Sequence, residues 1–363
     1  MNSKGLGKRL ALTIFLVTIF IIVAVISTFF IICRHEIKSL ASLNKIDEYG
    51  MYEMTYFADY NLEGLLEQGV SDSKDLQNFI NENQSVWFPK DSSVELNFEA
   101  GGCTAFFVQN NNNEFIYGRN FDFPYSPSLV LHTEPSNGYA SVSTVNLHCL
   151  WYNQSKLPKT VNEQDFKFVE EGVLLAAPYL PYDGMNELGV GISLLTLPEG
   201  TAPFNQDKTT INTTVAIRLV LDRAANVEEA VALLSKYNIH FSNDIPCQFF
   251  IADASGTSII VEFINGKMEL IYPTSNYQVA SNFIEYNNEN KGFGQERYEA
   301  IKTVIESRNH RLSDNTALEL LAHVGVRSNG IDMLQWSVLY NTSNLTGEIF
   351  AHRKFDARTF FAL

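Results

Sequence analysis

The chain has 363 residues, 45% hydrophobic and 18% charged, with 41 acidic against 26 basic side chains. That length gives one large or two ordinary domains ample core. A net charge of -15 is opposite in sign to the basic footprint that phosphate binding needs, which argues against a nucleic-acid partner. Four cysteines are too few for a disulfide scaffold, and the composition is not that of a collagen, a coiled coil or a disordered chain.

The charge is unevenly placed. Residues 1–33 carry Lys4, Lys8 and Arg9 and no acid, so the remainder carries -18, which is -15 minus +3. Leu10 to Cys33 is free of charge, with Thr13, Thr18, Ser27 and Thr28 as its polar residues. As a helix rising about 1.5 Å per residue, this run reaches roughly 36 Å, enough for a hydrocarbon core of about 30 Å. A secretory signal has a shorter apolar core and a small-x-small cleavage site; here Phe29-Phe30-Ile31-Ile32 stands instead. Residues 1–33 are therefore expected to be an uncleaved single-pass anchor, touching the membrane through residues 10–33. Arg34 and Lys38 follow the span closely, so the bias towards a cytoplasmic N-terminus is slight. The domain is expected outside the cytoplasm.

Residues 34–102 are acidic and read as helical. Tyr56 to Tyr60 and Leu62 to Leu66 place apolar residues at helical spacing, and Ser73 to Ile80 reads as a short helix. Met51, Tyr52, Met54, Tyr56, Phe57 and Tyr60 make the stretch too apolar for a bare linker. From Cys103 the pattern changes to strands. Thr104–Gln109 and Glu114–Gly118 flank an Asn-rich turn, a hairpin signal. Ser128–Thr133 and Tyr139–Val145 are predicted to continue that sheet, before a polar insertion to about Gln164. Gly189–Leu195 reads as a buried strand. Helices are predicted at Thr213–Ala224 and from an Asn226 cap to about Tyr237. Strands follow at Cys247–Asp253, Ser258–Ile264 and Lys267–Ile271, with turns at Ser255-Gly256 and Asn265-Gly266. Gln295–Arg308 and Ser313–Val324 read as helices, Gln335–Tyr340 and Gly347–Ala351 as closing strands. This order is α+β and suits two stacked sheets covered by helices.

Gly101-Gly102-Cys103-Thr104 precedes Gly118-Arg119-Asn120-Phe121-Asp122, with Arg119 sixteen and Asp122 nineteen residues beyond Cys103. A hairpin between the two would return Arg119 and Asp122 to the cysteine, and a guanidinium there favours thiolate. Taken alone, a cysteine opening a buried strand is a small core residue. The seven histidines are scattered, so a papain-like Cys–His pair has no supporting motif and stays open. Cys149 and Cys247 could pair in an oxidising compartment if their Cα spacing allowed it, with separate thiols the ordinary expectation.

Together, the two blocks resemble the N-terminal-nucleophile hydrolases of the choloylglycine hydrolase type. That grouping of linear amide C–N hydrolases includes bile salt hydrolases, penicillin V acylases, isopenicillin N acyltransferases, acid ceramidase and N-acylethanolamine amidase. Further blocks match in order: Asp183-Gly184-Met185-Asn186-Glu187-Leu188-Gly189, Ala280-Ser281-Asn282, Glu296-Arg297-Tyr298, and Gln335 to Asn341. The likeness runs from about Tyr56 to the C-terminus. It implies a four-layer αββα sandwich over residues 103–363, a cysteine nucleophile at Cys103, and Arg119, Asp122, Asn282 and Arg297 as active-site residues. Where bile salt hydrolases carry Gly-Leu-Asn, this chain has Leu194-Leu195-Thr196, which leaves the Thr196 backbone N–H as an oxyanion donor and weakens a bile-salt assignment.

The resemblance also implies self-cleavage between Gly102 and Cys103, so that the new α-amine, with a pKa of about 7.7–8.0, takes the thiol proton. Residues 34–102 then become a helical propeptide or a retained small subunit. The implied activity is hydrolysis of a linear amide through an acyl-thioester on Cys103; the substrate would be an N-acyl amino acid or amine, a conjugated bile acid or a penicillin side chain. An acyltransferase on the same framework and an inactive membrane-tethered binding module are the alternatives. No Cys-x-x-Cys, His-Glu-x-x-His or phosphate-loop pattern is present, so no cofactor and no metal is expected. Expected partners are a small-molecule N-acyl amide, the membrane, the propeptide if retained, and a second copy if the chain oligomerises.

Overall fold

A tight asparagine turn organises the centre of the molecule. Asn110 Oδ1 accepts from the backbone N–H of Asn112 and Glu114, and Asn113 takes the left-handed conformation at φ 65° that asparagine tolerates. The strands it joins, Gly102–Asn110 and Phe115–Asp122, pair antiparallel, with Ala105 opposite Arg119 and Gly102 opposite Asp122. This is the hairpin expected from the sequence. The computed structural model describes residues 3–83, 102–124, 126–150 and 171–363, with backbone alone for 3–10 and 171. The polar insertion after Leu150 lies largely outside the described residues.

The hairpin sits inside a seven-stranded sheet. Its path is Gln278–Ala280, Gly102–Asn110, Phe115–Asp122, Leu334–Asn341, Thr346–Ala351 and Thr359–Ala362, with Arg311–Leu312 also pairing to the cysteine strand. A nine-stranded sheet faces it, ordered Asn44–Lys45, Met51–Tyr56, Ser128–Thr133, Ser141–Asn146, Pro181–Asn186, Gly191–Thr196, Cys247–Ala252, Ser258–Ile264 and Lys267–Ile271. Strand alternation explains the layers. Cys103, Ala105 and Phe107 enter the core between the sheets, where Tyr117 stacks on Phe250 at 5.3 Å. Phe106 and Val108 point the other way, against Ile301 and Ile305 of helix Gln295–Ser307 and Leu318 and Leu321 of helix Asp314–Val324. Helices Thr213–Arg223 and Val227–Leu234 cover the larger sheet. The architecture is the αββα sandwich. Asn226 caps the second of these helices through the Glu229 N–H, and Ser313 caps Asp314–Val324 through the Thr316 N–H.

Three local expectations are corrected. Ser128–Thr133 and Ser141–Asn146 do not extend the hairpin's sheet; they belong to the opposite one. Pro124 and Pro127 lack the N–H a continuing ladder would use, and the chain crosses between the sheets there, held by Gln335, which accepts from the Ser126 N–H and donates to Phe123 O. Pro181–Asn186, not read as a strand, lies within the larger sheet. The helical reading of residues 34–102 holds at Arg34–Ala41, Leu62–Gln68 and Ser73–Asn83, but Met51–Tyr56 is a strand running parallel to Ser128–Thr133. Its buried Met54 and Tyr56 alternate with less buried Glu53 and Thr55, a period of two that the apolar residues on either side obscure.

Helix Ser3–Ile32 carries the apolar run, with mean hydropathy 3.0 and unburied side chains over Ala11–Ile32. It is long and apolar enough to cross a membrane, a property that a signal sequence shares. None of the four cysteines forms a disulfide, and all four are buried.

Candidate active site

Cys103 is 1% exposed and projects from the inward face of its strand. Arg119 Nη2, from the neighbouring strand, lies 3.7 Å from its sulfur, and the Thr196 backbone N–H also faces it. Burial pushes the thiol above its ordinary value, while Arg119, Arg297 and the Thr196 N–H oppose that rise and Asp122 adds to it. A guanidinium, not a histidine, therefore meets the sulfur. His132 pairs with Glu53, His310 with Asn276 and His352 with Leu334 O, while the His148 ring packs on Phe123.

The next residue in the strand faces the helices. Thr104 Oγ1 accepts from Arg297 Nη1 at 2.7 Å, and the same nitrogen donates to Cys103 O at 2.8 Å. Arg297 stands in the first turn of helix Gln295–Ser307. The helix begins at Gly294, whose φ of 92° is left-handed. A Cβ there would come within 2.2 Å of Ser281 Oγ and 2.3 Å of Arg297 Nη2, so only glycine fits.

Asn282 follows strand Gln278–Ala280. Its Oδ1 accepts from the Cys103 N–H at 2.7 Å and from Arg297 Nη2 at 2.9 Å. Its Nδ2 donates to Thr196 O at 2.9 Å and Thr196 Oγ1 at 3.0 Å. It is thus the amide oxygen that faces the cysteine, with the nitrogen turned to Thr196. Asp122 lies opposite Gly102. Its Oδ1 accepts from the Val326 N–H at 2.7 Å, while Oδ2, 3.8 Å from Arg297 Nη1, is buried and makes no hydrogen bond. Burial pushes its carboxyl up to about 6 despite the opposing pull of Arg297, the Val326 N–H and Arg119. A Cβ on Gly102 would sit 2.7 Å from Val326 Cγ2, 3.2 Å from Asp122 Oδ2 and 3.3 Å from Arg297 Nη1. The glycine lets the backbone press against both charged groups.

The structure thus brings together Cys103, Arg119, Asp122, Asn282, Arg297 and Thr196, all of them expected from the sequence. It adds Thr104, Ser281, Val326 and Asp183. Ser281 Oγ donates to Cys103 O at 3.2 Å, and its own carbonyl is held by Gln248 Nε2 at 2.6 Å. Ser281 and Asp183 lay inside recognised blocks and Thr104 beside Cys103, so adjacency was the available signal. Val326 acts through its backbone, which no residue type advertises. Among the described residues no group of His, Cys, Asp and Glu is placed to hold a metal.

The loop after Asn282 rests on a carboxylate. Glu262 accepts the backbone N–H of Glu285 at 2.7 Å and of Tyr286 at 3.1 Å. Burial, and then the charge of Glu262, push the Glu285 carboxyl from an ordinary 4.5 up to about 8. A carboxyl raised in the fold binds its proton more tightly when folded. Its contribution to stability is complete below about 4.5 and is lost as pH rises through about 8. Thermal melts between pH 5 and 9 should show stability falling over that window, by on the order of a few kcal/mol at most. Glu285→Gln should flatten the profile; an unchanged slope would mean that Glu285 is ionised in the native protein.

A family model described as linear amide C–N hydrolases, choloylglycine hydrolase family, matches residues 103–324. Over 111 residues the chain is 32% identical to a penicillin V acylase of Pectobacterium atrosepticum, covering 28% of this chain and 29% of that relative. Two solved variants of the conjugated bile acid hydrolase from Clostridium perfringens superpose with a TM-score of 0.51 each. They are 15% and 16% identical, and each match covers 72% of this chain and 92% of theirs. The sandwich is the one expected of an N-terminal-nucleophile hydrolase.

Proposed function

The chain belongs to the choloylglycine hydrolase family of linear amide C–N hydrolases, and from that premise we propose that it is a membrane-anchored cysteine amidase that first cuts its own Gly102–Cys103 bond. The observation that carries this reading is the 2.7 Å hydrogen bond from the Cys103 backbone nitrogen to Asn282 Oδ1. The nitrogen that cleavage would free as an α-amine is already held beside the thiol it must serve. The family match, beginning at Cys103, supports the same boundary.

In the first reaction the thiol attacks the Gly102 carbonyl. The C–N bond breaks, the nitrogen takes the thiol proton, and Gly102 is left as a thioester. Water hydrolyses that thioester, giving a Gly102 carboxylate and a free thiol. In the second, the α-amine takes the thiol proton near neutral pH and the thiolate attacks the substrate carbonyl. The oxyanion would take the Thr196 N–H and displace the Thr196 hydroxyl from Asn282 Nδ2. The ammonium then protonates the departing nitrogen, and water releases the acyl group. Asp122 Oδ2, buried without a hydrogen-bond donor, would balance the ammonium, and that positive charge would in turn hold the carboxylate ionised.

The relatives are named for penicillin V and for conjugated bile acids; the shared chemistry is an N-acyl amide, and we assign the substrate to that class. We further propose that residues 1–33 stay as an anchor, with the catalytic domain outside the cytoplasm. Helical hydrogen bonds continue through the junction, from Cys33 N to Phe29 O and from Ile37 N to Cys33 O, and Cys33 is buried. That leaves no extended segment for a signal peptidase.

Intact mass and N-terminal sequencing of the full chain in detergent, beside Cys103→Ala, test the proposal. A fragment beginning at Cys103 in the wild type and absent from the variant is expected. An uncut wild type that still hydrolyses N-acyl amides would overturn the α-amine mechanism, and one both uncut and inert would leave a tethered binding module.

A further inference from the structure

Behind Arg119, on the side away from the sulfur, lies a second carboxylate. Asp183, on strand Pro181–Asn186 of the larger sheet, is fully buried and lies 3.2 Å from Arg119 Nε through its Oδ2. The same oxygen accepts from Trp336 Nε1 at 3.1 Å, and the other accepts from the Tyr340 hydroxyl at 2.7 Å. Both donors stand on strand Leu334–Asn341, which pairs with the strand of Arg119. The guanidinium also lies over the rings of Phe121 and Trp336, at 5.1 and 5.4 Å, and its Nη2 donates to Leu194 O at 3.2 Å. The ion pair therefore crosses the gap between the sheets at the level of the nucleophile.

We propose that Asp183 is a positioning residue for the thiol: it holds the Arg119 guanidinium against the sulfur, and Trp336 and Tyr340 hold Asp183. The physical reason is the burial of all three partners. A guanidinium without its carboxylate is an uncompensated charge in the core, and removing one partner of such a pair is far more disruptive than removing both. Without Asp183, Arg119 keeps the Leu194 carbonyl and the aromatic faces but loses the anion that orients its Nε edge. The group free to move is the one touching Cys103. Two hydrogen bonds to Asp183 from rigid aromatic side chains are what a fixed carboxylate requires. This role is independent of the identity of the amide substrate.

The test reads the thiol directly. The pH dependence of iodoacetamide alkylation of Cys103 is followed by peptide mass spectrometry in the full chain in detergent, for the wild type, Asp183→Asn, Arg119→Gln and the double variant. If Asp183 acts through Arg119, both single variants raise the alkylation midpoint by about one pH unit, a tenfold loss of thiolate. The double variant then raises it no further than Arg119→Gln alone. A midpoint unchanged or lowered in Asp183→Asn, or losses that add in the double variant, would overturn the proposal. Tyr340→Phe, which keeps the ring and removes one donor, covers the case in which Asp183→Asn does not fold. Its midpoint should move in the same direction by a smaller amount, and a wild-type midpoint would overturn the proposal equally. An alkylation coupling without any amide turnover would sink the amidase reading and leave this one standing.

Discussion

Asn282→Ala should lower amide turnover by about 10²–10³-fold, the usual cost of one oxyanion donor, while leaving a folded protein. The side chain sits between three groups of the site: its oxygen takes the Cys103 N–H and Arg297 Nη2, and its nitrogen reaches Thr196. Removing it withdraws the donor and also leaves the Cys103 nitrogen without the acceptor that keeps it beside the sulfur. Each orphaned buried donor adds a penalty of about 1–3 kcal/mol to stability, so melting and kcat/KM are measured together. Asn282→Asp separates the two roles, since it keeps an acceptor for Cys103 and Arg297 but turns acceptor oxygen towards the Thr196 carbonyl. That variant should be nearer to wild type in stability and no more active than alanine. Near-normal turnover in both would take Asn282 out of the chemistry and leave the oxyanion to the Thr196 N–H.

The second large effect concerns the segment ahead of the cut. After cleavage at Gly102 the N-terminal fragment should remain bound, and the catalytic chain should sediment with membranes. Strand Met51–Tyr56 is hydrogen-bonded along its length to Ser128–Thr133. The Tyr60 hydroxyl donates to Asp222 at 2.6 Å, the Tyr179 hydroxyl donates to Tyr60 O at 2.6 Å, and Val70 N donates to Thr210 O at 2.7 Å. Met54, Leu65, Leu76, Phe79 and Ile80 are all at most 2% exposed and join the core of the catalytic chain. At about 1.5–3 kcal/mol for each buried side chain, these five alone contribute roughly ten kcal/mol. High salt should not release the catalytic chain, because the contacts are apolar; urea should. Deleting residues 1–83 should yield aggregated protein, since it uncovers both the core and a sheet edge. Finding the cleaved catalytic chain in the soluble fraction without denaturant would show that the fragment is instead shed.

Legibility followed sequence distance. Cys103, Arg119 and Asp122 belong to one hairpin, and an asparagine turn with alternating strands around it is a local signal. Asn282 and Arg297 meet Cys103 from 179 and 194 positions further along the chain. No periodicity connects residues so far apart, and their expected place rested on resemblance. Asp183 was visible as part of a block but not as a partner of Arg119, because that contact depends on which sheet each strand joins. The same cause moved Ser128–Thr133 and Ser141–Asn146 to the opposite sheet. Met51–Tyr56 was misread because a six-residue strand beside apolar flanks offers too few alternations to separate period two from helical spacing.

The sequence by itself determined the apolar N-terminal helix, most helices and strands after Cys103, the hairpin that returns Arg119 and Asp122 to Cys103, and the family. These depend on side-chain period, turn chemistry and caps, which act over a few residues. Only the tertiary structure decided that the N-terminal segment supplies a strand to the larger sheet, that Asn282 presents its oxygen to the Cys103 backbone, and that Arg119 is backed by Asp183. Those outcomes depend on which faces and edges meet once two sheets pack. Burial then sets the chemistry: in that water-poor gap each charge and each donor must find its partner across the fold.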